Sequence, residues 1–189
     1  MTFYEKGKDG KDVSNSFSGN ERDHLYLNQQ GKSFVDFSGL SGLDMISDGR
    51  SFAYLDYDHD GWLDIVVASA NAPQLQLLHN EIAQSIAVSN NQVSIRLVGG
   101  NLTSNPSTHS SNRNAYGTKL FLALDNGQVL YREHSCGAGL AAQNSNTIHV
   151  GLGTATAIEN LKIIWPSGKS QTIQNIQPGR VHEFREASE

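Results

Sequence analysis

The sequence predicts an all-β protein in which a small antiparallel sheet carrying a Ca2+ loop is packed against a β-sandwich. Three observations lead there. Short runs of alternating apolar residues recur along the chain, separated by clusters of Gly, Ser and Asn. The composition, 18 Gly and 38% apolar residues in 189, is that of an ordinary soluble domain long enough to bury a core. Residues 56–64, Asp-Tyr-Asp-His-Asp-Gly-Trp-Leu-Asp, set four carboxylates between two β-prone flanks.

In chain order, residues 1–20 mix Lys, Asp, Gly and Ser without periodicity and read as an extended or mobile lead-in with no functional role. Residues 24–28 and 33–37 alternate around a Gln30-Gly31-Lys32 turn, which is a hairpin signal. Residues 39–50 form an irregular link with room for one helical turn. Strands are expected at 51–55 and 63–68, bracketing the acidic loop, and at 75–79. Residues 21–80 therefore make one small sheet with the loop at one end.

Residues 81–91 join two domains, and Ile82, Ala83, Ile86 and Ala87 fit a short amphipathic helix there. Over 92–189, strands are expected at 93–98, 118–124, 128–133, 147–151, 161–165, 171–173 and 181–184. That count, with turns at Asp125-Asn126-Gly127 and Pro166-Ser167-Gly168, predicts the sandwich. The polar segment 99–114 carries no pattern and reads as a loop.

The acidic loop is the candidate site. Asp56, Asp58, Asp60 and Asp64 stand at positions 1, 3, 5 and 9, and Gly61 at position 6 permits the bend that carries the chain round an ion. The Trp62 carbonyl would supply the position-7 oxygen. An EF-hand would need Glu at position 12, which is Val67, so the loop reads as a strand–loop–strand Ca2+ site with Asp64 as a direct ligand. The competing reading is a solvated turn without metal, but four converging carboxylates would oppose folding unless a cation compensated them. His59 at position 4 points away from the ion.

A formal charge of -5 argues against nucleic acid as a partner, and no apolar run reaches the length of a membrane span. The first twenty residues contain no signal-peptide core, so an exported form is expected to have lost its leader or to have been longer. Cys136 is the sole cysteine, which excludes an internal disulfide and a Cys-based zinc site. With His134 and His149 near it in sequence, Cys136 could serve as a nucleophile, but no flanking signature favours that over packing. Gly168-Lys169-Ser170 lacks the earlier glycine of a phosphate loop, and Asn101-Leu102-Thr103 fits a glycosylation acceptor.

These residues carry a resemblance. Ser41-Gly42-Leu43, Asp48-Gly49-Arg50-Ser51-Phe52 and the acidic loop resemble the FG-GAP or VCBS-type repeat of calcium-bearing β-propellers. Asn112-Arg113-Asn114-Ala115-Tyr116-Gly117, Arg132-Glu133-His134, residues 141–145, His149-Val150-Gly151-Leu152-Gly153 and Ile164-Trp165-Pro166-Ser167-Gly168 resemble the ASPIC/UnbV domain of the cartilage acidic protein family. The resemblance implies a secreted, cell-surface or periplasmic protein that binds calcium and acts in adhesion or interaction. Only one acidic repeat is present, so a single blade-like sheet covered by the adjoining sandwich is expected rather than a closed propeller.

Three functions follow as expectations. The first is a non-enzymatic, calcium-stabilised interaction module with a protein or glycan ligand, binding through loops or an exposed sheet edge, with 99–114 and 137–146 as the candidate segments. The second is a carbohydrate-binding sandwich, for which Trp62, Tyr57 and Tyr116 are the loop aromatics. The third, from the UnbV resemblance alone, is an enzyme or accessory factor of enediyne-type biosynthesis, with Arg113, Glu133, His134 and Cys136 to be inspected for a common pocket.

Overall fold

The computed structural model describes residues 3–6, 8–10, 12–15, 21–82, 91–139 and 141–187. It is nearly all-β, with several antiparallel sheets and no closed barrel. The chain divides into two compact units, residues 1–52 with 66–77, and residues 53–65 with 78–189. The acidic loop thus belongs to the same unit as the C-terminal strands.

The first unit holds two hairpins. Strands β1 (Phe3–Lys6) and β2 (Asp12–Asn15) pair antiparallel in the stretch where no periodicity was legible. Strands β3 (Tyr26–Asn28) and β4 (Phe34–Asp36) form the expected hairpin, with Leu27 opposite Val35. A single helical turn, α1 (Ser38–Ser41), follows and ends at Gly42 in the left-handed conformation. Ser38 is buried; its hydroxyl accepts the Leu25 N–H at 2.9 Å and donates to Asp36.

A three-stranded sheet, β5 (Gly49–Leu55), β6 (Asp64–Ser69) and β7 (Leu75–Leu78), has residues in both units. Among the described residues, the first unit buries no large apolar side chain. Phe34, Leu40 and Leu75 are 66%, 82% and 69% exposed, and its buried residues are Ser38, Asp48 and Ser69. Local hydrogen bonding, such as the 2.6 Å Arg50–Asp48 ion pair and the Asn71 carboxamide on the Asp48 N–H, is prominent there.

The second unit has the core. Strands β8 (Asn91–Val98), β9 (Lys119–Leu124), β10 (Val129–Glu133), β11 (Thr147–Gly153), β12 (Ile158–Ile164), β13 (Ser170–Ile176) and β14 (Val181–Arg185) form two sheets, ordered β10-β9-β12-β13 and β11-β8-β14. Alternation places Leu120, Leu122 and Leu124 of β9 and Val93, Ile95 and Leu97 of β8 in one apolar cluster. Val150, Leu152, Ile158, Leu161, Ile163 and Trp165 complete it. Apolar faces of two sheets meeting in a single core define the sandwich.

Two features depart from simple alternation. In β12 a bulge at Glu159 lets Ile158 oppose Leu124 while Asn160 opposes Ala123, so the inward set runs 158, 161, 163. The last strand, β14, runs parallel to β8, with Val181 opposite Ser94 and Phe184 opposite Leu97. The Asn126-Gly127 and Ser167-Gly168 turns form as expected, with Gly127 and Gly168 at φ 82° and 89°. The amphipathic helix expected over 81–91 falls almost entirely outside the described residues. No helix among them is long and apolar enough to cross a membrane.

Candidate metal centre

The acidic loop leaves β5 at Asp56 and re-enters the sheet at Asp64, the first residue of β6. Its curl needs two left-handed residues, His59 at φ 63° and Gly61 at φ 90°. A Cβ at Gly61 would run into the carboxamide of Gln92 on β8, so glycine serves both the bend and the close approach of the loop to that strand.

Each carboxylate fixes part of the loop by accepting backbone N–H groups. Asp56 Oδ2 takes Gly61 N at 3.1 Å, Asp58 Oδ1 takes Asp60 N at 3.3 Å, and Asp60 Oδ1 takes Trp62 N at 2.8 Å. Asp64 is 1% exposed; its two oxygens accept Tyr57 N at 3.1 Å and Asn80 N at 2.8 Å. A buried carboxylate is tolerable when donors surround it, and these two tie the loop's start to the segment after β7. Asp56 Oδ1, by contrast, is buried with no hydrogen-bond partner among the described residues.

The four aspartates do not fall into one group. Asp56, Asp58 and Asp64 offer oxygens within 4.8 Å of one another, whereas Asp60 groups with Asp58 and His79 at the same limit. Opposite ligands of a calcium ion stand about 4.6–5.2 Å apart, twice the metal–oxygen distance, so the spacing of either group admits a divalent ion. Trp62 is half-buried, and His59 is exposed. Trp62 also lines a cleft of about 470 Å3 together with Asp60, Asn80, Asn91, Gln92 and His149. Either group could hold a metal ion.

His79 was legible only as the end of an expected strand. Its Nε2 lies 3.1 Å from Asp58 Oδ2, and its ring meets the edge of Tyr57 at 5.5 Å. The signal that could have found it is positional: it follows β7, which is hydrogen-bonded to the strand that leaves the loop.

Of the other candidates, His149 lines the loop cleft. Cys136 is exposed. His134 is 4% exposed with Nε2 3.0 Å from Asn146 Oδ1, and His149 Nδ1 lies 3.1 Å from Ser94 Oγ. Burial pulls both imidazoles below the usual histidine range, against the Asn146 and Asn114 bonds at His134 and the Asp56 charge at His149. Arg113 is exposed, and Glu133 accepts the Tyr131 hydroxyl at 2.8 Å. None of Arg113, Glu133, His134 or Cys136 lines the loop cleft.

The polar segment 99–114 is built around two residues. Asn101 donates its carboxamide to Ser107 O at 2.9 Å and Ser110 O at 2.8 Å, so the nitrogen that a glycan would occupy is already engaged. Glu186, 7% exposed, accepts Gly100 N at 2.8 Å, Ser111 N at 2.7 Å and the Ser167 hydroxyl. Segment 137–146 is held by a bridge between Gly139 and Ala142 and by Ser145 N donating to Tyr54 O at 3.0 Å.

Residues 108–189 match the family model described as ASPIC and UnbV. The match covers β9 to β14 and stops short of β8, although β8 is the central strand of the three-stranded sheet. The acidic loop lies outside it. No curated protein matches the chain.

Proposed function

We propose that this chain is a calcium-stabilised, non-enzymatic interaction module acting at the cell surface, outside the cell or in the periplasm. Ca2+ is held by Asp56, Asp58 and Asp64 with the Trp62 carbonyl, and it stiffens the strand–loop–strand element; Asp60, expected from the spacing to join them, groups instead with Asp58 and His79. The observation that carries this reading is the buried, unpartnered Oδ1 of Asp56, a residue whose carboxylate groups with those of Asp58 and Asp64. A desolvated carboxylate oxygen among like charges is costly, and a hard cation relieves both terms.

The loop's likeness to an FG-GAP or VCBS-type repeat supports calcium, and the chain's resemblance to the cartilage acidic protein family, whose ASPIC/UnbV domain matches residues 108–189, is the ground for an extracellular or periplasmic setting. The partner is a protein or glycan, engaged through segments 99–114 and 137–146, whose described residues take part in the Asn101 and Glu186 hydrogen bonds and the Gly139–Ala142 bridge.

Thermal melts in calcium and in chelator test the reading. Calcium at about a hundred times its Kd adds about 2.7 kcal/mol, roughly 5–10 °C for a chain of this size. An Asp58→Ala, Asp60→Ala variant should lose that rise. Identical melts in calcium and chelator would contradict it.

A further inference from the structure

His79 supplies a nitrogen donor that the calcium group of Asp56, Asp58 and Asp64 leaves unused. Its Nε2 is shielded from solvent and has no hydrogen-bond partner among the described residues, yet it stands 3.1 Å from Asp58 Oδ2. At that distance a well-directed N–H would bond. The contact is an ion pair when the imidazole is protonated, but the nitrogen, shielded from water, makes no hydrogen bond.

Two donor atoms held side by side and not bonded to each other have the spacing of neighbouring ligands on one ion. With metal–ligand bonds of about 2.0–2.2 Å, such neighbours lie roughly 3–3.5 Å apart. An oxygen of Asp60, an oxygen of Asp58 and a ring nitrogen of His79 lie within 4.8 Å of one another. The Tyr57 ring, set against the imidazole at 77°, limits its rotation.

We propose that His79, Asp58 and Asp60 form a nitrogen-containing subsite for a borderline divalent ion of the Zn2+ class. It adjoins the calcium group of Asp56, Asp58 and Asp64 and shares Asp58 with it. The proposal rests on the reading of this loop as a metal centre and adds a second ion chemistry to it. Calcium takes oxygen ligands, whereas imidazole suits zinc, cobalt, nickel and copper, so a buried imidazole nitrogen beside the loop selects the second class. Asp58 can serve both because its Oδ2 faces His79 while both of its oxygens remain available as acceptors.

The test titrates the full chain with Co2+, first alone and then with saturating Ca2+, following the visible absorption of the bound cobalt and its displacement by Zn2+. His79→Gln should weaken Co2+ binding by about tenfold or more while the calcium-dependent rise in melting temperature stays. His59→Gln, which alters an exposed imidazole in the same loop, should change neither. In the wild-type chain the His79 ring resonances should be shifted by Co2+ before those of His59. Equal Co2+ affinity in wild type and His79→Gln, or first shifts at His59, would overturn the subsite. If the calcium rise is present without a His79-dependent cobalt signal, this inference fails alone; if the cobalt signal stands without the calcium rise, the calcium reading fails instead.

Discussion

Substitution of Glu186 gives a graded prediction because its two oxygens have different partners. Oε2 accepts the N–H groups of Gly100 and Ser111, and Oε1 accepts the Ser167 hydroxyl. Glu186→Ala strands two backbone donors at a site that is 7% exposed, each costing about 1–3 kcal/mol, for about 2–6 kcal/mol in total. Glu186→Gln can keep the count: its amide oxygen takes both N–H groups and its NH2 donates to Ser167. Only the charge assistance is lost, about 1 kcal/mol.

The same carboxylate sets a pH signature. Burial is the largest single influence and pushes its pKa up, but the bonds from Ser167, Ser111 and Gly100 together outweigh it and hold the group below the ordinary glutamate range. A depressed folded value stabilises above the unfolded pKa, and the stabilisation is lost as pH falls through the folded value. The gap between wild type and Glu186→Gln should therefore narrow on acidification. Denaturant unfolding at stepped pH, followed by the fluorescence of buried Trp165 in a Trp62→Phe background, measures it. Both variants falling within about 0.5 kcal/mol of wild type, or a gap that widens in acid, would refute the reasoning.

Two further outcomes concern the same unit. Gly61→Ala forces a left-handed alanine against the Gln92 carboxamide and should cost about 1–2 kcal/mol and weaken the calcium-dependent rise in melting temperature; calorimetric titration with Ca2+ checks it. His134, held neutral chiefly by burial, should titrate with a midpoint below 6.5 in an NMR pH series. Its stabilisation is present above the unfolded value and declines as pH falls toward the folded one, so His134→Gln should flatten that part of the stability profile.

What the sequence made legible is what local chemistry decides. Leu120, Leu122 and Leu124 alternate without interruption and read as a half-buried strand, and Asn126-Gly127 reads as the turn after it. The loop was legible because carboxylate spacing and Gly61 lie within nine consecutive residues. Ile158 was missed because the bulge at Glu159 breaks the period, so the strand appeared to start at Leu161. The direction of β14 was not legible, since alternation is the same in parallel and antiparallel pairs. Glu186 and His79 are single polar residues just past strand ends. Their partners lie far off in sequence, 86 residues away for Glu186 and Gly100, and only folding reveals them. The division of the four aspartates into two overlapping groups follows from side-chain geometry that spacing alone does not specify.

Anomalous difference density from crystals grown with calcium tests the central claim most directly. The account predicts one peak about 2.3–2.6 Å from carboxylate oxygens of Asp56, Asp58 and Asp64, with the Asp56 Oδ1 atom turned onto it. A map without a peak, in which these side chains spread into solvent around water, would contradict it.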